Sequence, residues 1–252
     1  MLGAGLSIPW RFGRPDPWPA AAAIAVFAVF AAPVALSGEP TFAGYIRLDD
    51  TATWIAITDR VMEHGRSLDG LEPSTYRATL AAYPGDGYPI GVNLPWGAAW
   101  KLTGGDPAWL FQPYLAFLAA ILSLTLWAVC RPFVTRSWLR ALCAFVASQA
   151  ALFYGFSLWG GVKELAAAAL VGLAAGVLPV AVRTDPDGAC SSAAARAVLP
   201  LALAAAALVA VLSPAGLIWV APLLAVGLVW AVRELGGREA QSPGCRRAWR
   251  QF

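Results

Sequence analysis

Six long apolar runs dominate the pattern of hydrophobic and polar positions along this chain. A helix needs roughly 20 apolar residues to cross a hydrocarbon core about 30 Å thick, and most of the runs come close to that length. The pattern therefore predicts an all-α fold, a polytopic membrane helix bundle with about six transmembrane helices. The runs cover residues 18–36, 107–130, 141–158, 165–182, 197–212 and 215–232.

The long stretch between the first two runs, residues 37–106, is not apolar and holds most of the acidic residues. Residues 51–64 repeat apolar positions at helical spacing, which predicts an amphipathic helix on the outer membrane surface with Trp54 as its anchor. Residues 83–89 are rich in turn formers. Residues 90–103 are apolar but short and interrupted by Asn93 and Pro95, so we expect an interfacial helix or re-entrant turn that does not cross.

The distribution of charge predicts the topology. If each run crosses once from a cytoplasmic N-terminus, the inner segments carry twelve of the 18 basic residues and five acidic residues. Cytoplasmic loops are enriched in Lys and Arg, so both termini are expected inside a multi-pass plasma-membrane protein. The expected parts are an N-tail at 1–17, a membrane domain at 18–232 with the outer loop 37–106, and a basic tail at 233–252.

Composition agrees with a membrane protein and narrows the chemistry. Charged residues make up 13% of the chain, against about 25% in soluble domains. The net charge of +3 is too small to indicate nucleic-acid binding. The first run is longer than a usual signal-peptide core, so an uncleaved anchor is expected. Four cysteines without ligand spacing and a single histidine, His64, argue against disulfides and a structural zinc site.

Asp49 and Asp50 are the chemical candidates in the outer loop. Two adjacent carboxylates just outside a membrane span can bind a divalent cation or take a proton from a substrate hydroxyl. A structural interpretation has comparable weight, because Asp50 before Thr51 is a good N-cap and Asp49 adds favourable charge at a helix start.

A second group, residues 160–164, lies at the predicted outer mouth between the third and fourth runs. Lys163 could hold a phosphate near the lipid headgroups, and Glu164 would sit where the helix dipole favours an acid. A snorkelling lysine and a helix-start glutamate explain the same residues without a ligand. Arg60 and His64 are further substrate-binding candidates, although surface positions are the simpler interpretation of both.

The layout resembles the amino-terminal half of the GT-C-fold glycosyltransferases. The shared features are a first span, an outer loop with Asp49-Asp50 before an amphipathic helix, a Tyr-Pro-Gly turn at residues 83–85, and an interfacial helix. Only Pro89 and the apolar residue after it match the His-Pro-Pro-Leu-like element of many members. The resemblance covers residues 18–182, and the Ala, Arg and Trp content is similar to that of actinobacterial proteins.

The resemblance implies a membrane glycosyltransferase that moves a sugar from a polyprenyl-phosphate donor to an acceptor on the outer face. Asp49 or Asp50 would then act as base or metal ligand, with a divalent cation as a candidate cofactor. Family members usually have eight to thirteen spans, so a truncated half of a split enzyme is an alternative. A non-catalytic scaffold or a partner of a second membrane subunit is the other alternative.

Overall fold

The computed structural model describes residues 16–39, 41, 49–182 and 192–241, and these residues form helices joined by turns. The N-tail to residue 15, the segment 183–191 that is expected inside and the tail beyond 241 lie outside the described residues, as does the side chain of Asp49. Three short helical turns, at Ala81–Gly85, Pro107–Leu110 and Pro214–Gly216, accompany ten α-helices. The α-helices are α1 Pro17–Ala35, α2 Asp49–His64, α3 Thr75–Leu80, α4 Asn93–Thr103, α5 Phe111–Val129, α6 Ser137–Ser148, α7 Ala151–Trp159, α8 Val162–Val182, α9 Ser192–Leu212 and α10 Leu217–Gln241.

Among the described residues, three helical segments are long and apolar enough to cross a membrane, namely Pro17–Ala35, Pro107–Val129 and Val162–Pro179. The third predicted run is split into α6 and α7, which meet at 55°, and it adds a fourth crossing if the pair forms one span. The last two runs contain shorter apolar helices, Val198–Leu212 and Pro214–Val229. The helical membrane class is therefore supported, while the number six stays a prediction.

Helix α5 lies at the centre of the bundle, against α1 on one side and α8 on another. Helix α1 begins where Asp16 accepts a hydrogen bond from the Trp18 backbone at 3.1 Å, and it buries a stripe of Ala22, Val26 and Phe30. The remaining α1 surface is apolar and outward-facing, as expected of a helix that meets lipid. Buried Gln112 of α5 donates to the Phe30 carbonyl at 2.8 Å and joins the two helices.

Small residues allow α8 to approach α5 closely. A Cβ at Gly172 would stand 2.5 Å from the Thr125 hydroxyl, and one at Gly176 would stand 3.3 Å from the Ala128 side chain. The two glycines are four residues apart and therefore face the same way. This small-residue spacing is typical of helix pairs in lipid, where close van der Waals contact supplies much of the association energy.

Helix α2 confirms the helical pattern at residues 51–64 but corrects two expectations. The helix starts at Asp49, so Asp50 lies inside its first turn and is not the N-cap that we expected. Trp54 is only 5% exposed and packs against the protein, so it does not anchor the helix on a membrane surface. The apolar face of α2 is covered by α4 and by the turn at 81–85, which the local pattern does not reveal.

Helix α4 accounts for the short apolar segment at 90–103. Its 11 residues span about 16 Å, roughly half of a bilayer core. Its buried face carries Asn93 and Trp96, which bind other elements: the Asn93 amide donates to the Thr58 hydroxyl at 2.9 Å, and the Trp96 indole donates to the Pro107 carbonyl at 2.9 Å. These bonds explain why polar Asn93 lies within an apolar segment.

We expect Gly172→Ala to destabilise the bundle by about 1–3 kcal/mol, because the new methyl group must displace Thr125. The matched control is Gly155→Ala in α7, where an added Cβ meets nothing within 4 Å. That variant should be neutral or slightly more stable, since Ala favours helix over Gly. Thermal unfolding in detergent measures both, and equal melting temperatures for the two variants would contradict the close α5–α8 contact.

Candidate functional site

The starts of α2 and α8 meet at Gly160, which ends α7. Gly160 has a φ of 95°, a left-handed conformation that favours glycine. A Cβ there would stand 2.8 Å from the Thr51 hydroxyl and 3.4 Å from the Thr51 backbone nitrogen. The approach is therefore backbone against backbone, and it brings the segment with Asp50 beside the segment with Lys163.

Lys163 points into a group of aromatic rings. Its ammonium group donates a hydrogen bond to the Tyr88 hydroxyl and lies 4.5 Å from the centre of the Tyr88 ring and 5.6 Å from that of Trp54. The ammonium meets Tyr88 at the hydroxyl edge of the ring, so the attraction of a cation to the quadrupole of an aromatic face applies here to Trp54. We call Trp54, Tyr83, Tyr88 and Lys163 the lysine cage. The side chain of Lys163 is thus held in place and does not snorkel freely.

The three rings of the lysine cage pack on one another. Tyr83 and Tyr88 meet edge to face with their centres 5.1 Å apart, and Trp54 lies 6.3 Å from Tyr83 and 6.0 Å from Tyr88. The predicted turn at 83–89 brings both tyrosines to the same place, because the Tyr88 backbone donates to the Tyr83 carbonyl at 3.0 Å. Such aromatic pairs contribute about 0.5–1.5 kcal/mol each beyond area burial.

Arg66 fixes this turn from outside. Its guanidinium donates to the Pro84 carbonyl at 2.7 Å and to the Tyr88 carbonyl at 2.9 Å. Two carbonyls of an irregular segment thereby gain charge-assisted partners, which are stronger than neutral hydrogen bonds. Nothing in the local sequence spacing of Arg66 marks it as a residue that holds the two tyrosines in place.

Asp50 lies beside the lysine cage by virtue of helix geometry. It precedes Trp54 by four residues, so both side chains project from one face of α2 one turn apart. Trp54 contacts Lys163, and Thr51 lies against Gly160, three residues before Lys163. The structure therefore brings Asp50 and Lys163 to the same junction of helix ends, although 112 positions separate them in the sequence.

Glu164 lies in the first turn of α8, as expected from the helix dipole. Its carboxylate turns back towards the helix start and stands 3.1 Å from where a Cβ of Gly161 would be. This position stabilises the start of α8 and also places a negative charge close to Lys163. The structural interpretation of Glu164 therefore accounts for its geometry without a ligand.

Arg60 and His64 lie elsewhere. Arg60 is 6% exposed, and its guanidinium donates to the carbonyls of Ser67 at 2.9 Å and Asp69 at 2.7 Å. It starts about 9 Å further along α2 than Trp54, so its charge serves the loop after α2 and not the lysine cage. His64 is exposed in the last turn of α2, where a cation is favourable. Next to it, Glu63 pairs with Lys101, whose hydrogen bond holds the pKa of the Glu63 carboxyl below its usual value.

No group of three or more His, Cys, Asp or Glu side chains suited to a metal ion exists within the described part of the chain. The expected divalent cation at Asp49 and Asp50 therefore stays a prediction. The fold and this junction define a helical membrane protein with a polar and aromatic site at one end of its bundle. Comparison with protein-family models, with curated proteins and with solved structures finds no match.

We expect Gly160→Ala to lower the stability of the protein by more than the cost of placing an alanine in the left-handed backbone conformation. An alanine in the left-handed region costs about 1–2 kcal/mol, and here its Cβ also collides with Thr51. The matched control is Gly104→Ala, because Gly104 ends α4 with a φ of 68° and a Cβ there meets nothing within 4 Å. Thermal unfolding in detergent should show the larger loss of stability for Gly160→Ala. Equal losses would contradict the close Thr51 contact.

Proposed function

We propose that this protein is a membrane glycosyltransferase of the GT-C type, which transfers a sugar from a polyprenyl-phosphate donor to an acceptor at the outer face of the plasma membrane. One observation supports the proposal above others, namely the junction that brings Asp50 at the start of α2 to Lys163 at the start of α8. An acid and a cation at the same junction of helix starts, at the end of an apolar bundle, suit a reaction between a substrate in water and one in lipid.

We propose six spans with both termini in the cytoplasm. Contacts at the two ends of the bundle agree with that arrangement. The expected outer segments meet one another, since Thr51 lies against Gly160 and the Gly91 backbone donates to the Ala210 carbonyl at 3.0 Å. The expected inner segments also meet, because the Ser137 hydroxyl hydrogen bonds to Asp16 and thereby lowers the pKa of that carboxyl.

The proposed reaction uses each residue for one task. The acceptor hydroxyl oxygen forms a bond to the anomeric carbon of the sugar, and the bond from that carbon to the phosphate oxygen breaks. Asp50, with Asp49 as its neighbour, takes the proton of the acceptor hydroxyl. The polyprenyl phosphate leaves with the bonding electrons, and the Lys163 ammonium stabilises the negative charge that develops on it.

The lysine cage suits this role for Lys163. Tyr88 and Trp54 hold the ammonium group in a fixed position, so little side-chain entropy remains to be lost when a phosphate binds. The first turn of α8 adds the positive end of a helix dipole at the same place. The negative charge of Glu164 opposes the positive potential of Lys163 and the helix start. Glu164→Gln would therefore show how strongly this charge affects phosphate affinity.

A non-catalytic scaffold would depend on apolar docking surfaces, such as the face of α2 that carries Trp54. Trp54 is 5% exposed and lies within the chain's own packing, so this face is occupied. The observation favours the enzyme hypothesis over this form of the scaffold hypothesis.

We expect Asp50→Asn to lower sugar transfer by about 10² to 10⁴-fold, because it removes the proposed base and keeps the size of the side chain. Lys163→Met should lower transfer by on the order of 10²-fold through loss of charge stabilisation. The measurement is transfer from a polyprenyl-phosphate sugar to a soluble acceptor in membrane vesicles, with each variant matched for abundance and melting temperature.

The chain offers matched controls for both substitutions. Asp59→Asn makes the same change on an exposed position of α2, and Lys101→Met changes the only other lysine, which is exposed at the end of α4. Both controls should transfer at the parent rate. Full activity of Asp50→Asn and Lys163→Met would refute the site, and an inactive parent with every donor tested would favour the scaffold hypothesis.

Cysteine labelling tests the proposed sidedness. In a variant without the native cysteines, a cysteine at Ser67 should react with an impermeant maleimide in intact cells. A cysteine at Ser242 should react only after the membrane is opened, because the arginine-rich segments are expected inside. The reverse pattern would place the lysine cage in the cytoplasm and exclude transfer at the outer face.

A further inference from the structure

A second polar group lies at the opposite end of the bundle, where α5 and α6 meet. Arg140, in the first turn of α6, is only 8% exposed, and its guanidinium stacks over the Trp127 ring with 4.3 Å between the Cζ atom and the ring centre. One of its terminal nitrogens donates to the Ser137 hydroxyl at 2.9 Å. A buried arginine in an apolar bundle is costly unless its N–H groups find acceptors.

Two N–H donors at this place lack an acceptor among the described residues. They are the Nε of Arg140 and the Nε1 of the Trp127 indole, and both atoms are buried. The guanidinium covers the indole ring, so the two unpaired donors lie close together. An unpaired N–H that is kept from water costs about 1–3 kcal/mol, and two of them in one place indicate a shared acceptor from outside the described chain.

The surrounding charges favour an anion. Arg131 and Arg136, both exposed, stand in the turn between α5 and α6, within ten residues of Arg140. Among the described residues, Asp16 brings a carboxylate to this group, where it faces the charge of Arg140 and hydrogen bonds to Ser137. Within the described part of the chain, Arg131, Arg136 and Arg140 against Asp16 leave a net positive charge at this end of the apolar bundle, where lipid headgroups lie.

We propose that Arg140 and Trp127, with Arg131 and Arg136 at the rim, bind the phosphate of an anionic membrane phospholipid. A phosphodiester oxygen offers the acceptor that both N–H donors lack, and guanidinium groups match phosphate geometry. The indole N–H also suits a position at the boundary between headgroups and acyl chains. The site is separate from the lysine cage, and it holds a structural lipid whether or not the protein transfers sugars.

The test compares bilayers of defined composition. The purified full-length protein is placed in nanodiscs of phosphatidylcholine alone or with phosphatidylglycerol, and its melting temperature is measured. Phosphatidylglycerol should raise the melting temperature, whereas inorganic phosphate added to phosphatidylcholine nanodiscs should not. Native mass spectrometry of the detergent-solubilised protein should show phosphatidylglycerol retained in preference to phosphatidylcholine.

Variants separate a bound phosphate from a general attraction between charges. Arg140→Gln should bind phosphatidylglycerol about fivefold more weakly, as expected for the loss of one basic contact near the headgroups. Trp127→Phe keeps an aromatic ring under the guanidinium but removes the indole N–H together with the five-membered ring, so it should weaken binding while the protein still folds. The matched control Arg77→Gln, an exposed arginine of α3, should bind like the parent.

Three results would overturn the proposal. Inorganic phosphate alone could reproduce the stabilisation, which would make the site one for a free anion. Trp127→Phe and Arg140→Gln could both bind the lipid as the parent does. The parent could show no preference for phosphatidylglycerol. The hydrogen-bond acceptor for Arg140 and Trp127 would then belong to another part of the chain.

Discussion

The absence of backbone hydrogen-bond partners in lipid is the constraint on which this architecture depends. Each segment that crosses must satisfy its own N–H and C=O groups, so it becomes a helix, and irregular backbone is confined to places where protein can supply partners. The polar groups of this chain follow that rule. The lysine cage and its supporting turns lie at one end of the bundle, and the pair of Arg140 and Trp127 lies at the other.

The local pattern of apolar and polar residues predicted the helices because helix formation depends largely on neighbouring residues. The first apolar run matches α1 within one residue at each end, and the amphipathic stretch matches α2 except for its first two residues. The cover over Trp54 could not be predicted, since a tryptophan on an apolar helix face looks the same whether lipid or protein covers it. The tyrosines of the lysine cage escaped notice for a related reason: a turn motif shows that the chain bends but not what it meets.

Arginine has a consistent role in the outer loop that its charge alone did not suggest. Arg60 and Arg66 each donate to two carbonyls of an irregular segment, at Ser67 and Asp69 and at Pro84 and Tyr88. Loops near a membrane have limited water to satisfy such carbonyls, and a guanidinium supplies several donors in fixed geometry. This explains why candidate ligands chosen by charge were only partly brought together: Lys163 reaches the junction with Asp50, whereas Arg60 is occupied by its own loop.

The bend between α6 and α7 sets the position of the junction at Gly160. Helix α7 has nine residues and is therefore about 13 Å long, and it departs from the direction of α6 by 55°. Were the third run a straight helix, Gly160 would stand about 12 Å from its present position by this geometry. Thr51 would then lose its contact with Gly160, and Lys163 would leave the rings that hold it. A modest change of angle at residues 149–150 would thus move the start of α8 relative to α2, and the bend fixes the distance between acid and cation.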